Sequence, residues 1–106
     1  MSTGAQAPTD GFVARHDGTF AISGLLTFET VPEFLSRTST WLSSGPEMIT
    51  IDMKNVSKAD SAGLALMVEW LRQAREAKRR IRFVNIPEQL NHLIRVSGLQ
   101  RAFATR

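Results

Sequence analysis

The chain contains no cysteine, which excludes disulfides and cysteine-ligated metal sites and fits a reducing compartment. No apolar run approaches the roughly 18–20 residues that a membrane-spanning helix needs. Residues 1–11 (MSTGAQAPTDG) lack the basic and apolar regions of a secretory signal. They read as a short disordered leader, leaving residues 12–106 for the folded domain. No Walker A loop, GxGxxG or metal-spaced His/Asp/Glu cluster occurs, so neither cofactor nor metal is expected. Only His16 and His92 could act as a general base.

What is present suits one globular domain: 106 residues, 42% hydrophobic and 22% charged. Charge is unevenly placed. Residues 1–60 hold four Lys/Arg and seven Asp/Glu, whereas residues 61–106 hold nine Lys/Arg and three Asp/Glu. The second half should therefore present a basic face to an acidic protein, a membrane surface or nucleic acid.

Residues 12–16 and 19–23 flank Asp17-Gly18, a strong two-residue hairpin signal. Such a loop pairs Val13 with Ile22 and Arg15 with Phe20. Residues 24–28 (GLLTF) read as an apolar loop. Thr30 and Glu33 form a capping box for a helix carrying Val31, Phe34, Leu35, Thr38, Trp41 and Leu42 at helical spacing. Residues 48–53 (MITIDM) and 81–86 (IRFVNI) read as strands, with a long helix from near Ala62 to near Ala77 between them. Pro87 opens a helix with Leu90, Leu93, Ile94 and Ser97, and Gly98 is a natural stop. The order β-β-α-β-α-β-α implies parallel strands with right-handed crossovers and an antiparallel strand from the opening hairpin. Binding residues then belong on the rim at the strands' carboxyl ends, made by residues 25–28, 54–61 and 86–87.

Residues 55–66 (NVSKADSAGLAL) are the most informative on that rim. Asp60 or Ser61 can cap the long helix, and Ala62 and Gly63 place almost no side chain over its start. The result is either a bare patch of backbone N–H groups that receives an acceptor from a partner, or simply close internal packing. Ala59-Asp60-Ser61-Ala62-Gly63 also resembles a nucleophile elbow. About seven residues separate Met53 from Ser61, however, and an elbow needs a strand running straight into its serine.

The stretch IDMKNVSKADSAGLALMVEWLRQA resembles the signature of STAS domains, in which Asp-Ser-Ser/Thr-Gly-Leu opens a helix after a strand ending in Asp. Asp52, Asp60, Ser61, Gly63 and Leu64 match, with Ala62 in the variable slot. The ending HLIRVSGLQRAF resembles that family's last helix and turn, and the likeness runs from Phe12 to Phe103. It implies an α/β STAS (SpoIIAA-like) fold, a mixed four- to five-stranded sheet with helices mainly on one face. Within the family the likeness is to the stand-alone subunit of Mla-type phospholipid ABC transporters. That implies a non-catalytic adaptor on an MlaF-like ATPase, cytoplasmic and peripheral to the inner membrane, in a complex maintaining outer-membrane lipid asymmetry. The alternative implied is an anti-sigma factor antagonist switched by phosphorylation of Ser61. Either way Asp60, Ser61, Ala62 and Gly63 become partner-binding residues. Leu25 and Thr27 stand where many relatives carry acidic residues, which favours an apolar contact.

Along the long helix, Leu64, Met67, Val68, Leu71 and Ala74 form a stripe for the sheet, and Leu66, Trp70 and Ala77 a second beside it. Either a neighbouring helix covers the second stripe or Trp70 sits near the partner surface. Lys58, Leu25, Phe28 and Trp70 are thus secondary contact candidates. Arg72, Arg75, Lys78, Arg79, Arg80 and Arg82 make a dense basic run, but no groove-reading motif accompanies it, so no nucleic acid partner is expected.

Overall fold

The computed structural model describes residues 11–14, 18–44 and 47–103, together with the backbone placement of every element named below. Among the described residues four strands and three helices follow one another: β1 (Phe12–Ala14), β2 (Thr19–Leu26), α1 (Val31–Ser44), β3 (Met48–Ala59), α2 (Ser61–Glu76), β4 (Arg80–Val84) and α3 (Glu88–Val96). The sheet order is β1-β2-β3-β4. Strands β2, β3 and β4 are parallel, and the three-residue β1 lies antiparallel on the edge of β2. The expected four to five strands therefore resolve into a three-stranded parallel sheet with one short edge strand. The expected leader lies outside the described residues, apart from Gly11.

One core joins one face of the sheet to all three helices. Phe20, Ile22, Ile49, Ile51, Met53 and Phe83 point from the strands into it, and Phe34, Leu42, Met67, Trp70, Leu90 and Ile94 meet them from the helices. The opposite face carries the row Val13, Ala21, Asp52 and Val84, joined by the strand register. Asp52 is buried there, where its Oδ1 accepts from the Lys54 N–H (3.1 Å) and from Asn85 Nδ2 (3.0 Å). Hydrogen bonds of this kind are what make a buried carboxylate tolerable.

Several local expectations change. The hairpin register is Phe12↔Ile22, Val13↔Ala21 and Ala14↔Phe20, one residue away from that of a two-residue loop. Gly18 sits at φ +86°, while Asp17 and the rest of the turn lie outside the described residues. Residues 24–26 are strand, not loop. β3 continues six residues beyond Met53, and the expected residues 54–59 of the rim are strand as well.

The pairing of β2 with β3 explains why. It is irregular between Ala21 and Ser23 and between Gly24 and Leu25, where β3 carries an extra residue each time. Bulges of this kind turn successive side chains off strict alternation. The inward residues become Met53, Val56 and Ala59, three apart. Gly24 adopts φ +91° at the second irregularity, a conformation that suits glycine.

The Thr30 hydroxyl does not close the expected capping box. It donates to the Leu25 carbonyl at 2.7 Å and accepts from the Thr27 N–H at 3.0 Å, folding the β2–α1 loop onto itself. At its far end α2 closes in a Schellman arrangement, with Lys78 N–H on Arg75 O and Arg79 N–H on Ala74 O. Lys78 takes the left-handed position (φ 60°) usually left to glycine. α3 stops the same way at Gly98 (φ 71°), as its sequence implies.

Candidate functional site

Asp60 is the single residue between β3 and α2, and three segments meet on it. Its Oδ1 accepts from the Ala62 N–H at 2.8 Å and caps α2. Its Oδ2 accepts a longer bond, 3.4 Å, from the Phe28 N–H in the β2–α1 loop. Its own N–H donates to the Leu26 carbonyl at 3.1 Å. One residue earlier, the Ala59 N–H donates to Gln89 Oε1 at 3.0 Å, bringing the start of α3 to the same rim. The carboxyl ends of β2 and β3 and the start of α2 are thus joined through Asp60, with the start of α3 held one residue away.

The expected bare patch of amides is largely filled from within. Asp60 takes the Ala62 N–H, and the Gly63 N–H turns back to the Asp60 carbonyl at 2.9 Å. What remains open is the serine. Ser61 is exposed, and among the described residues none hydrogen-bonds its hydroxyl.

Gly63 faces the other way. It is buried, and a Cβ built on it would meet the Leu26 carbonyl oxygen at 3.0 Å and Leu26 Cβ at 3.2 Å. Its small size seats α2 against β2. That is the close-packing alternative, so the expectation that Gly63 leaves the helix start bare for a partner is corrected.

Trp70 requires a second correction. Its side chain has no exposed surface, its Nε1–H donates to Thr38 Oγ1 of α1 at 2.9 Å, and its ring stacks on Phe83 at 6.2 Å. The neighbouring helix covers the second stripe, and Trp70 is unavailable as a secondary contact. Val68 does the reverse: placed by spacing in the core stripe, it is 41% exposed. Ser61, Ala65 and Val68, at i, i+4 and i+7, form an uncharged exposed line down α2. The signal that could have revealed it is the placing of the helix's charges, which begin only at Glu69.

At the end of β2 and in the loop after it, tied to the helix start through the Phe28 N–H and Asp60, Phe28 is 76% exposed and Leu25 38% exposed, while Leu26 between them is wholly buried. Leu25, Phe28, the exposed Lys58 and Asp60 line a groove of about 390 Å³ together with Thr27, Glu29 and Ala59. Large apolar side chains are unusual on a polar rim and mark contact surfaces when they cluster.

The separation expected to set Ser61 apart from a nucleophile elbow does not exist, because only Asp60 divides strand from serine. His92 is exposed on α3, and His16 lies outside the described residues. Among the described residues no group of His, Cys, Asp and Glu is arranged to hold a metal, and no helix is long and apolar enough to cross a membrane.

A one-layer parallel sheet with its helices on one side, and a serine raised at a capped helix start on the strand-end rim, defines a small α/β domain of the STAS class. The chain belongs to the STAS family: the family profile described as "Mlab, STAS domain" matches residues 13–104. It is similar to the anti-sigma-B factor antagonist of Staphylococcus aureus, 27% identical over 79 residues that span 74% of this chain and 73% of the relative. It also resembles a chain in the Acinetobacter MlaFEDB complex in its ATP-bound Vtrans2 conformation. There the TM-score is 0.68 with 26% identity, over 84% of this chain and 94% of the other. An anti-sigma factor antagonist from Mycobacterium paratuberculosis shares the fold, with TM-score 0.73, 19% identity and coverage of 92% and 87%.

Proposed function

We propose that the protein is a non-catalytic STAS adaptor that binds the ATPase of a Mla-type phospholipid-transport ABC complex, supports its assembly and activity, and is held at the cytoplasmic side of the inner membrane through that complex. The observation that carries this reading is the exposed Ser61 continuous with the uncharged line Ala65–Val68, with exposed Leu25 and Phe28 on the strand end and loop that Asp60 ties to the same helix start. An apolar surface with one hydroxyl at its end suits a protein partner better than a small charged ligand. Ser61 and Ala62 supply the contact, with Leu25, Phe28 and Lys58 around them. Asp60 and Gly63 hold α2 in place beneath. The likeness to a chain of the MlaFEDB complex supports the choice of partner.

Co-purification with a Mla-type ATPase tests it, using wild type, Ser61→Ala, Ser61→Arg and Val68→Glu. Ser61→Ala should bind and the two bulky or charged variants should not. A Ser61→Arg protein that captured the ATPase as well as wild type would refute the interface.

The exposed hydroxyl also favours a second reading, an anti-sigma factor antagonist switched at Ser61, in keeping with the Staphylococcus aureus relative. A phosphate would bring a charge of about −1.5 to −2 beside the Asp60 carboxylate, which already occupies the Ala62 amide. Repulsion there and charge on an apolar rim would release a bound partner. Intact mass after incubation with an anti-sigma kinase and ATP decides this reading: no phosphate adduct removes it.

A further inference from the structure

At the opposite end of α2, about 24 Å from Ser61 for a helix of this length, lies a second groove of about 360 Å³. It exists because α2 has 16 residues and α3 only 9, so the last turns of α2 and the start of β4 are left without a covering helix. Leu71, Ile81 and Met48 are half-buried in it, and Arg75, Lys78 and Arg80 stand around it, all three exposed. Among the described residues no carboxylate forms an ion pair with these three cations.

The groove is lined by the first residues of the edge strand β4. β4 ends the strand order, and among the described residues no strand pairs with its outer side. Its two sides differ in chemistry. Ile81 and Phe83 turn toward the helices, while Arg80 and Arg82 turn to the open face, where Arg82 Nε donates to Thr50 Oγ1 at 3.1 Å. Arginines on an edge strand discourage uncontrolled pairing. They equally select a strand of opposite charge.

We propose that an extended protein segment with alternating acidic and apolar residues adds to the outer edge of β4. Alternation is what the edge demands, since successive side chains of an added strand point to opposite faces. Its apolar residues would enter the groove over Leu71 and Ile81, and its carboxylates would meet Arg80 and Arg82. The apolar floor lies between α2 and β4, where alternate side chains of an added strand can reach it. Among the described residues no aromatic ring lines the groove to stack a base, which disfavours single-stranded nucleic acid.

Fluorescence anisotropy with a labelled peptide of alternating Glu and Leu tests the proposal on the full chain. The Arg80→Glu/Arg82→Glu double variant, its fold checked by thermal melt, should lose affinity by about tenfold or more. Ser61→Arg, at the other end of the molecule, should bind the peptide like wild type, which separates this site from the adaptor interface. A peptide of the same composition with Glu and Leu in separate blocks, and one with Ser for Leu, should both bind more weakly. Equal binding of the blocked or Leu-free peptide would reduce the site to ion exchange and overturn the proposal. So would tighter binding of phosphatidylglycerol vesicles or single-stranded DNA through the same arginines.

Discussion

Replacing Gly63 by alanine separates a glycine that packs from a glycine that greets a partner. Gly63 lies in the first turn of α2, in helical backbone, so alanine there gains up to about 1 kcal/mol of intrinsic helix propensity. Against this, the added methyl would lie 3.0 Å from the Leu26 carbonyl oxygen and 3.2 Å from Leu26 Cβ. That oxygen belongs to β2 and accepts the Asp60 N–H at 3.1 Å, so it cannot retreat without loosening the junction that caps the helix. Overpacking a filled interior costs about 1–3 kcal/mol. The balance is a net loss of about 1 kcal/mol, equivalent to a fall of about 5 °C in Tm for a domain of this size. Urea unfolding followed by circular dichroism should show a lower midpoint with an unchanged slope. A variant stabilised by the full helix-propensity gain would show that α2 has room to spare above Leu26, and the packing role of Gly63 would be refuted. A variant of wild-type stability that fails to capture the ATPase would refute it too, returning Gly63 to the contact surface.

Three further outcomes follow from the same geometry. Thr38→Val removes the hydroxyl oxygen that accepts from the buried Trp70 Nε1–H at 2.9 Å, and should cost about 1–3 kcal/mol in chemical denaturation; no loss would mean water or another acceptor takes its place. Lys78→Gly relieves a side chain held at φ 60° and should raise stability by about 0.5–1 kcal/mol, readable as a higher Tm; a lower Tm would contradict the Schellman assignment. The Glu69 carboxyl is held down to about 2 by hydrogen bonds from Arg72, at 2.6 Å, and from Gln73. Because its folded-state value is lowered, its contribution is complete above the ordinary carboxylate range and is lost as the pH falls from about 4.5 toward 2. Glu69→Gln should flatten the acid limb of the stability profile over that window, and an unchanged limb would dismiss the pair as a contributor.

Much of the architecture was legible because it rests on local rules. The parallel crossovers, a long helix expected from near Ala62 to near Ala77 and found at Ser61–Glu76, and the stop at Gly98 follow from spacing, capping chemistry and glycine's conformational freedom. The sequence left open whether Ser61 capped the helix or stood free of it; the fold gives the cap to Asp60 and leaves Ser61 exposed.

Tertiary structure alone decided the rest. Alternation of apolar residues ends at Met53, so the sequence pattern breaks off where the strand does not. Pairing with β2 creates two irregularities and continues β3 at a spacing of three, because partner hydrogen bonds rather than side-chain rhythm hold those residues extended. Helical spacing likewise groups Val68 with the core and leaves Trp70 undecided. Their fates depend on where α1 lies: it covers Trp70 through Thr38 and leaves Val68 in the open. A sequence states which residues prefer to be buried, but only the assembled layers determine which of them find cover.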